Sequence, residues 1–295
     1  MKTRSVFGFN GVFLALVLAC GVGLLSSYSS DHSDVPSTLL GARQDANITD
    51  LHVFRNGSNI VFAISTNPAI PPSATSYAFP SDVTLEINVD TNATVLRLDP
   101  EGDGGTMLVP HEISEEVTFR IRFRDDGSAS IQKVMKQGMD EPPLVGFFAG
   151  LRDDPFIRGP RQGRNVGAIV LEVPLSAVVQ SQNTLVIWAT AKVTEFEGAF
   201  QELTGRSLRS MFPENAVLNT MHPKQHQLRA GLRPDVMIYD ISMPAAFPNG
   251  RALTDDVVDL VGDTRVLSSD SPFPATNDLP FLTAFPYLAP PHPAP

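Results

Sequence analysis

Between residues 48 and 193 the chain repeats one pattern: short runs in which alternate residues are apolar, punctuated by Gly, Pro and Asp. Side chains of a strand point to opposite faces in turn, so this period of two marks half-buried strands. No stretch of helical length in this region carries a 3.6-residue apolar stripe. Ile48, Leu51 and Val53, then Ile60, Phe62 and Ile64, flank Asn56-Gly57. Asn-Gly supplies the positive φ angles of a type I′ turn, so the segment is read as a β-hairpin. Residues 83–90 set Val, Leu, Ile and Val against Thr, Glu and Asn. Residues 117–124 repeat the pattern, and Asp125-Asp126-Gly127 turns the chain into a partner strand over 130–135. Residues 166–173 are nearly all apolar, as in a central strand covered on both faces, and 185–193 hold the one tryptophan, Trp188. The expected fold is all-β, an antiparallel β-sandwich.

Past residue 194 the pattern loosens. A short helix is expected within 197–216, a strand over 236–241, and one or two helical turns over 253–261 with Thr254 or Asp255 as N-cap. From Ser271 the chain is Pro-rich, which predicts an extended, polyproline-like strap. Laid across the sandwich, it would bury Phe281, Phe285, Tyr287 and Leu288. The organisation expected is an export signal over 1–30, a linker over 31–47, a β-sandwich core over 48–194, and an irregular extension over 195–295 that completes the same domain.

The leader reading rests on Lys2 and Arg4, the apolar run from Val12 to Leu25, and the Ser-rich stretch after it. Val17-Leu18-Ala19-Cys20 approximates a lipobox, in which Cys20 would be acylated and become the new N-terminus. Cleavage after Ser29 is a second route, and an uncleaved membrane anchor a third. The expected location is periplasmic or cell-surface. Cys20 is the only cysteine, so no disulfide framework can form and the exported part must stand on its core. Two of the 22 basic residues lie in the leader, and all 32 acidic residues lie after it. Such a surface repels nucleic acid and anionic lipid, which restricts membrane contact to the leader or a lipid on Cys20, and it attracts divalent cations.

Two sets of residues are candidate cation ligands. Asp99, Glu101 and Asp103 offer oxygens at alternate positions before Gly104, as in the first half of a calcium loop. The closing glutamate is missing, and a solvated acidic turn is the competing reading. His32, Asp34, Asp50, Asp153 and Asp154 form the second set, able to bind a divalent metal or act as an acid–base group if the fold gathers them. Their structural alternative is a turn, a cap and an Arg152–Asp154 ion pair. His222 and His226 have helical i, i+4 spacing, but Pro223 lies between them and a metalloprotease glutamate is absent, so two solvated histidines are expected. No nucleophile elbow, phosphate loop or dinucleotide fingerprint occurs.

Several segments in order, among them His32-Ser-Asp-Val-Pro36, Ile48-Thr-Asp-Leu-His-Val-Phe-Arg55, Phe148-Ala-Gly-Leu-Arg-Asp-Asp-Pro-Phe156 and Phe247-Pro-Asn-Gly-Arg251, resemble the bacterial exported domain-of-unknown-function family 4331. That resemblance implies export and no defined activity. A weaker likeness of strand order joins the chain to jelly-roll sandwiches such as family-nine carbohydrate-binding modules, which would make a carbohydrate or surface component the partner. The functional expectation is an exported, non-enzymatic binding or surface-associated protein with a structural calcium ion as its candidate cofactor. The alternative is a metal-dependent hydrolase built on His32, Asp50, Asp153 and Asp154.

Overall fold

The described residues form thirteen strands, the alternating runs among them. The computed structural model describes residues 43–98, 107–155, 163–180, 182–194, 201–204, 213–232, 234–256 and 276–295. β1 (Ile48–Asn56), β2 (Asn59–Thr66), β9 (Gly146–Asp153) and β10 (Asn165–Pro174) form a four-stranded antiparallel sheet in the order β1-β2-β10-β9. The facing sheet contains β3 (Val83–Asp90), β6 (Val117–Phe123), β7 (Ala129–Met135), β8 (Gly138–Asp140), β11 (Thr184–Val193) and β12 (Gln201–Thr204). Its order is β12-β11-β3-β6-β7-β8, and β13 (Met237–Asp240) also pairs with β11. A small ribbon joins β4 (Val95–Arg97) to β5 (Met107–Leu108). The fold is an all-β antiparallel sandwich, as the alternation predicts.

The core lies between the sheets and is filled by the apolar phase of each strand. Leu51, Phe62, Ile64, Ile169 and Leu171 come from the first sheet, and Leu85, Ile87, Phe119, Ile121 and Ile187 from the second, all fully buried. The opposite phase of the second sheet is polar at its middle. Glu86 there joins Arg120 and Lys192, and Asn88 bridges Thr118 and Thr190. Trp188 is 1 % exposed on that same face, covered by Val236, Ile238, Leu108 and Ile113, so it presents no stacking platform.

β10 reads as nearly continuous apolar sequence because its outer face is covered too. Val61, Ala63, Ala168 and Val170 meet Leu253 and the C-terminal strap, whose Phe281, Phe285, Tyr287 and Leu288 lie on the sheet. Gly146 makes this possible at one point: a Cβ there would stand 2.6 Å from the Phe285 ring. The Tyr287 hydroxyl donates to Glu172 Oε2 at 2.7 Å and accepts from Asn56 Nδ2 at 2.8 Å. These bonds hold Tyr287 at a φ of 67°, a backbone region that bulky residues rarely occupy.

Three expectations change. Asn56 pairs with Asn59, so the hairpin loop is Gly57-Ser58, and only Gly57 has positive φ. That is the signature of type II′, not type I′, and it frees the Asn56 side chain to bond Glu172 and Tyr287. Within 197–216 the described part holds strand β12 and the start of a 3-10 helix, Pro213–Thr220, because β11 offers a free edge that a strand can satisfy. The second sheet thus continues past residue 194 through β12 and β13. In 253–261 the described residues 253–256 form a turn, and the remainder lies outside the described residues.

Candidate metal centre

β9 ends at Asp153, paired with Asn165 at the start of β10. The strap reaches the sheet at this end. Asn165 grips it by the backbone of His292, accepting from its N–H at 2.8 Å and donating from Nδ2 to its carbonyl at 3.2 Å. Asp153 N–H donates to Ala289 O at 3.4 Å. On the incoming side of the strap, Asn277 Nδ2 donates to Asp153 Oδ2 at 2.6 Å and to Leu279 O at 2.9 Å. The Gly163 N–H donates to Asp278 Oδ2 at 2.6 Å. Prolines on both sides of His292 deny this stretch strand pairing, so side chains and single backbone bonds fix it.

These restraints bring an imidazole and two carboxyl groups together. His292 Nε2 lies 2.9 Å from Asp153 Oδ1 and 3.2 Å from Asp278 Oδ2, and one donor atom from each residue falls within 4.8 Å of the others. Asp153 is 1 % exposed, while the His292 and Asp278 side chains are 20 % exposed. Neither Asp153 Oδ1 nor His292 Nε2 has a partner in hydrogen-bond geometry, despite their short separation. Burial, reinforced by the Asp278 and Asp154 charges and opposed by the Asn277 hydrogen bond, pushes the Asp153 carboxyl up to about 8. Two crowded carboxyls and an imidazole can share a proton, or a divalent cation can take its place.

Of the described residues singled out from sequence, Asp153 alone joins this group. Asp154 follows it and is 2 % exposed, and its N–H donates to Arg164 O at 3.0 Å. Arg152 lies with its guanidinium 4.1 Å from the centroid of the Phe148 ring. Asp50 is buried on the other edge strand, bonded to Arg251 at 3.0 Å. β1 and β9 stand three strand spacings apart, so Asp50 and Asp153 are separated by about 14 Å or more. The fold therefore does not bring Asp50 and Asp153 into one site. His32, Asp34, Asp99, Glu101, Asp103 and Cys20 lie outside the described residues.

His226 is fully buried rather than solvated, accepting from Asp235 N–H at Nδ1 and facing the Leu218 and Met221 carbonyls. His222 pairs with Glu115 at 2.9 Å and packs edge-on to Trp188. Both histidines thus serve the packing of the 213–232 segment.

Asp278 and His292 are the residues that sequence reasoning missed. A signal for them exists: in residues 276–295 they are the only Asp, Glu, His, Lys or Arg side chains. Isolated ionisable groups in an apolar, Pro-rich strap call for a partner on the surface it crosses.

Near the hairpin loop the strap also borders a groove of about 670 Å³. Phe54, Tyr239, Met243, Leu282 and Tyr287 line it with Arg55, whose guanidinium donates to Ile241 O and Gly57 O. None of the described residues that line it is acidic. Comparison of the chain with protein-family models, with curated proteins and with solved structures finds no match in any of the three.

Proposed function

We propose that this chain is an exported, non-enzymatic binding or surface-associated module that holds one divalent cation where its C-terminal strap meets the four-stranded sheet. The observation that carries this reading is the convergence of Asp153, Asp278 and His292 around a buried, unsatisfied carboxylate oxygen. The leader pattern and the segments that resemble the exported family support the location. The aromatic groove bordered by Phe54, Tyr239 and Tyr287 supports a binding role, with an uncharged or anionic ligand favoured by Arg55. Calcium fits the centre poorly, because it wants six to eight oxygens and one of three donors here is an imidazole.

A metal-dependent hydrolase is the second reading. Three protein ligands would leave a tetrahedral cation one open position, as catalytic zinc sites do. Elemental analysis of the purified protein, with thermal melts before and after chelation, tests the cation. One equivalent of metal and a chelator-lowered Tm are expected; neither would be seen if the reading fails. Assays of the metal-loaded protein on chromogenic esters and phosphate esters separate the two readings. Metal-dependent turnover abolished by Asp278→Asn would replace the module with the hydrolase.

A further inference from the structure

Asp153 belongs to the sheet, whereas Asp278 and His292 belong to the strap and lie more than a hundred residues later in the chain. A cation held by all three would therefore be a cross-link between two parts of the fold. The strap forms no ladder with the sheet near His292. Its backbone is held there by Asn165 on both sides of His292 and by the single bond from Asp153 to Ala289.

The donor geometry suits a small cation. Ligand atoms about 2.1 Å from a tetrahedral Zn²⁺ stand about 3.4 Å apart. The two His292 edges of the cluster measure 2.9 and 3.2 Å, within a few tenths of an ångström of that spacing, and the Asp153–Asp278 edge lies within 4.8 Å. The surrounding shell is built as metal sites are built. Asn277 orients one oxygen of Asp153 and leaves Oδ1 without a donor, and Gly163 N–H orients Asp278. Imidazole with carboxylate selects borderline transition metals over Ca²⁺ and Mg²⁺.

We infer that Asp153, Asp278 and His292 form a zinc-class latch, in which one Zn²⁺ joins the end of β9 to the C-terminal strap. This rests on the cation-binding reading above and adds the metal and its task. Because the ligands are divided between sheet and strap, metal uptake and strap docking are one coupled equilibrium. Strap docking must tighten Zn²⁺ binding by the same factor by which Zn²⁺ tightens strap docking.

The test uses the full chain, stripped of metal and titrated separately with Zn²⁺ and Ca²⁺ by calorimetry. Hydrogen exchange over residues 276–295 is followed in parallel. One Zn²⁺ should bind at least about 100-fold more tightly than Ca²⁺ and slow exchange in the strap. His292→Ala and the isosteric Asp278→Asn, which can still accept from Gly163 N–H, should each weaken Zn²⁺ binding by about 100-fold or more and remove the protection. Tyr287→Phe touches no ligand, yet it should weaken Zn²⁺ binding several-fold through the strap. Binding of neither metal overturns the latch and the cation-binding reading together. Ca²⁺ binding without Zn²⁺ preserves that reading and overturns the latch. Zn²⁺ binding that leaves exchange in the strap unchanged, or that Tyr287→Phe does not weaken, also overturns the latch alone.

Discussion

His52 sits in the middle of β1, opposite Ala63, with both ring nitrogens buried and no hydrogen-bond partner for either. Burial, and then the Arg251 charge, hold its pKa well below the usual histidine value of 6.5. Above that value the ring is neutral in both folded and unfolded chains, and its contribution is constant. As pH falls through 6.5 the unfolded chain takes up a proton that the folded chain refuses, so stability declines. Because Asp153 acts in the opposite sense over the same range, the test is a difference: the Tm of His52→Leu, similar in volume and unable to ionise, should gain on that of the wild-type chain as pH falls from 7.5 to about 5. Asp153 has the opposite sign. Its carboxyl is raised from 3.8 to about 8, so in metal-free protein its contribution is complete below 3.8 and lost as pH rises toward 8. Asp153→Asn should therefore stabilise the metal-free protein at pH 8, by about 1–3 kcal/mol in denaturant melts, while abolishing cation binding. A residue that costs stability when empty and binds metal when loaded behaves as a site, not as packing.

At the scale of elements, the strap and the four-stranded sheet form one unit. The sheet's outer face would expose Val61, Ala63, Ala168 and Val170 without Phe281, Phe285, Tyr287 and Leu288 over it. Gly146→Ala places a methyl group against the Phe285 ring, and the ring has to move. A destabilisation of about 1–3 kcal/mol is expected, with faster proteolytic cutting in the strap than elsewhere. Tyr287→Phe removes a hydrogen bond to the Glu172 side chain and leaves Asn56 one acceptor fewer. Its cost should be about 1.5–3 kcal/mol by equilibrium unfolding, as for hydrogen bonds to charged groups.

For the whole molecule, a cation that binds only the folded chain raises its stability by about 2.7 kcal/mol at 100 times Kd. In a domain of this size that is an increase of about 5–10 °C in Tm, which a chelator should reverse. The second sheet offers no comparable device among the described residues. On its outer face Glu86 pairs with Arg120 and Lys192, and at the ends of β6 and β7 Glu116 pairs with Lys136.

The all-β class, the β1–β2 hairpin, and the strands β3, β6, β7, β10, β11 and β13 are legible in the sequence, because an alternating apolar phase is a local property that survives into the fold. β9 is not legible, for its Gly146-Phe-Phe-Ala-Gly150 start has no clean alternation and its pairing with β10 supplies the strand. β12 is likewise a product of the edge it joins. The turn type depended on which residues paired across the loop, one position from where Asn-Gly suggested. For the candidate site the sequence offered Asp153 and a surplus of acids, but the grouping of Asp153 with Asp278 and His292 arises only when the strap crosses the sheet. Composition and period are written residue by residue along the chain. Ligand sets depend on distances between residues remote in sequence, and those distances exist only once the two sheets and the strap have packed.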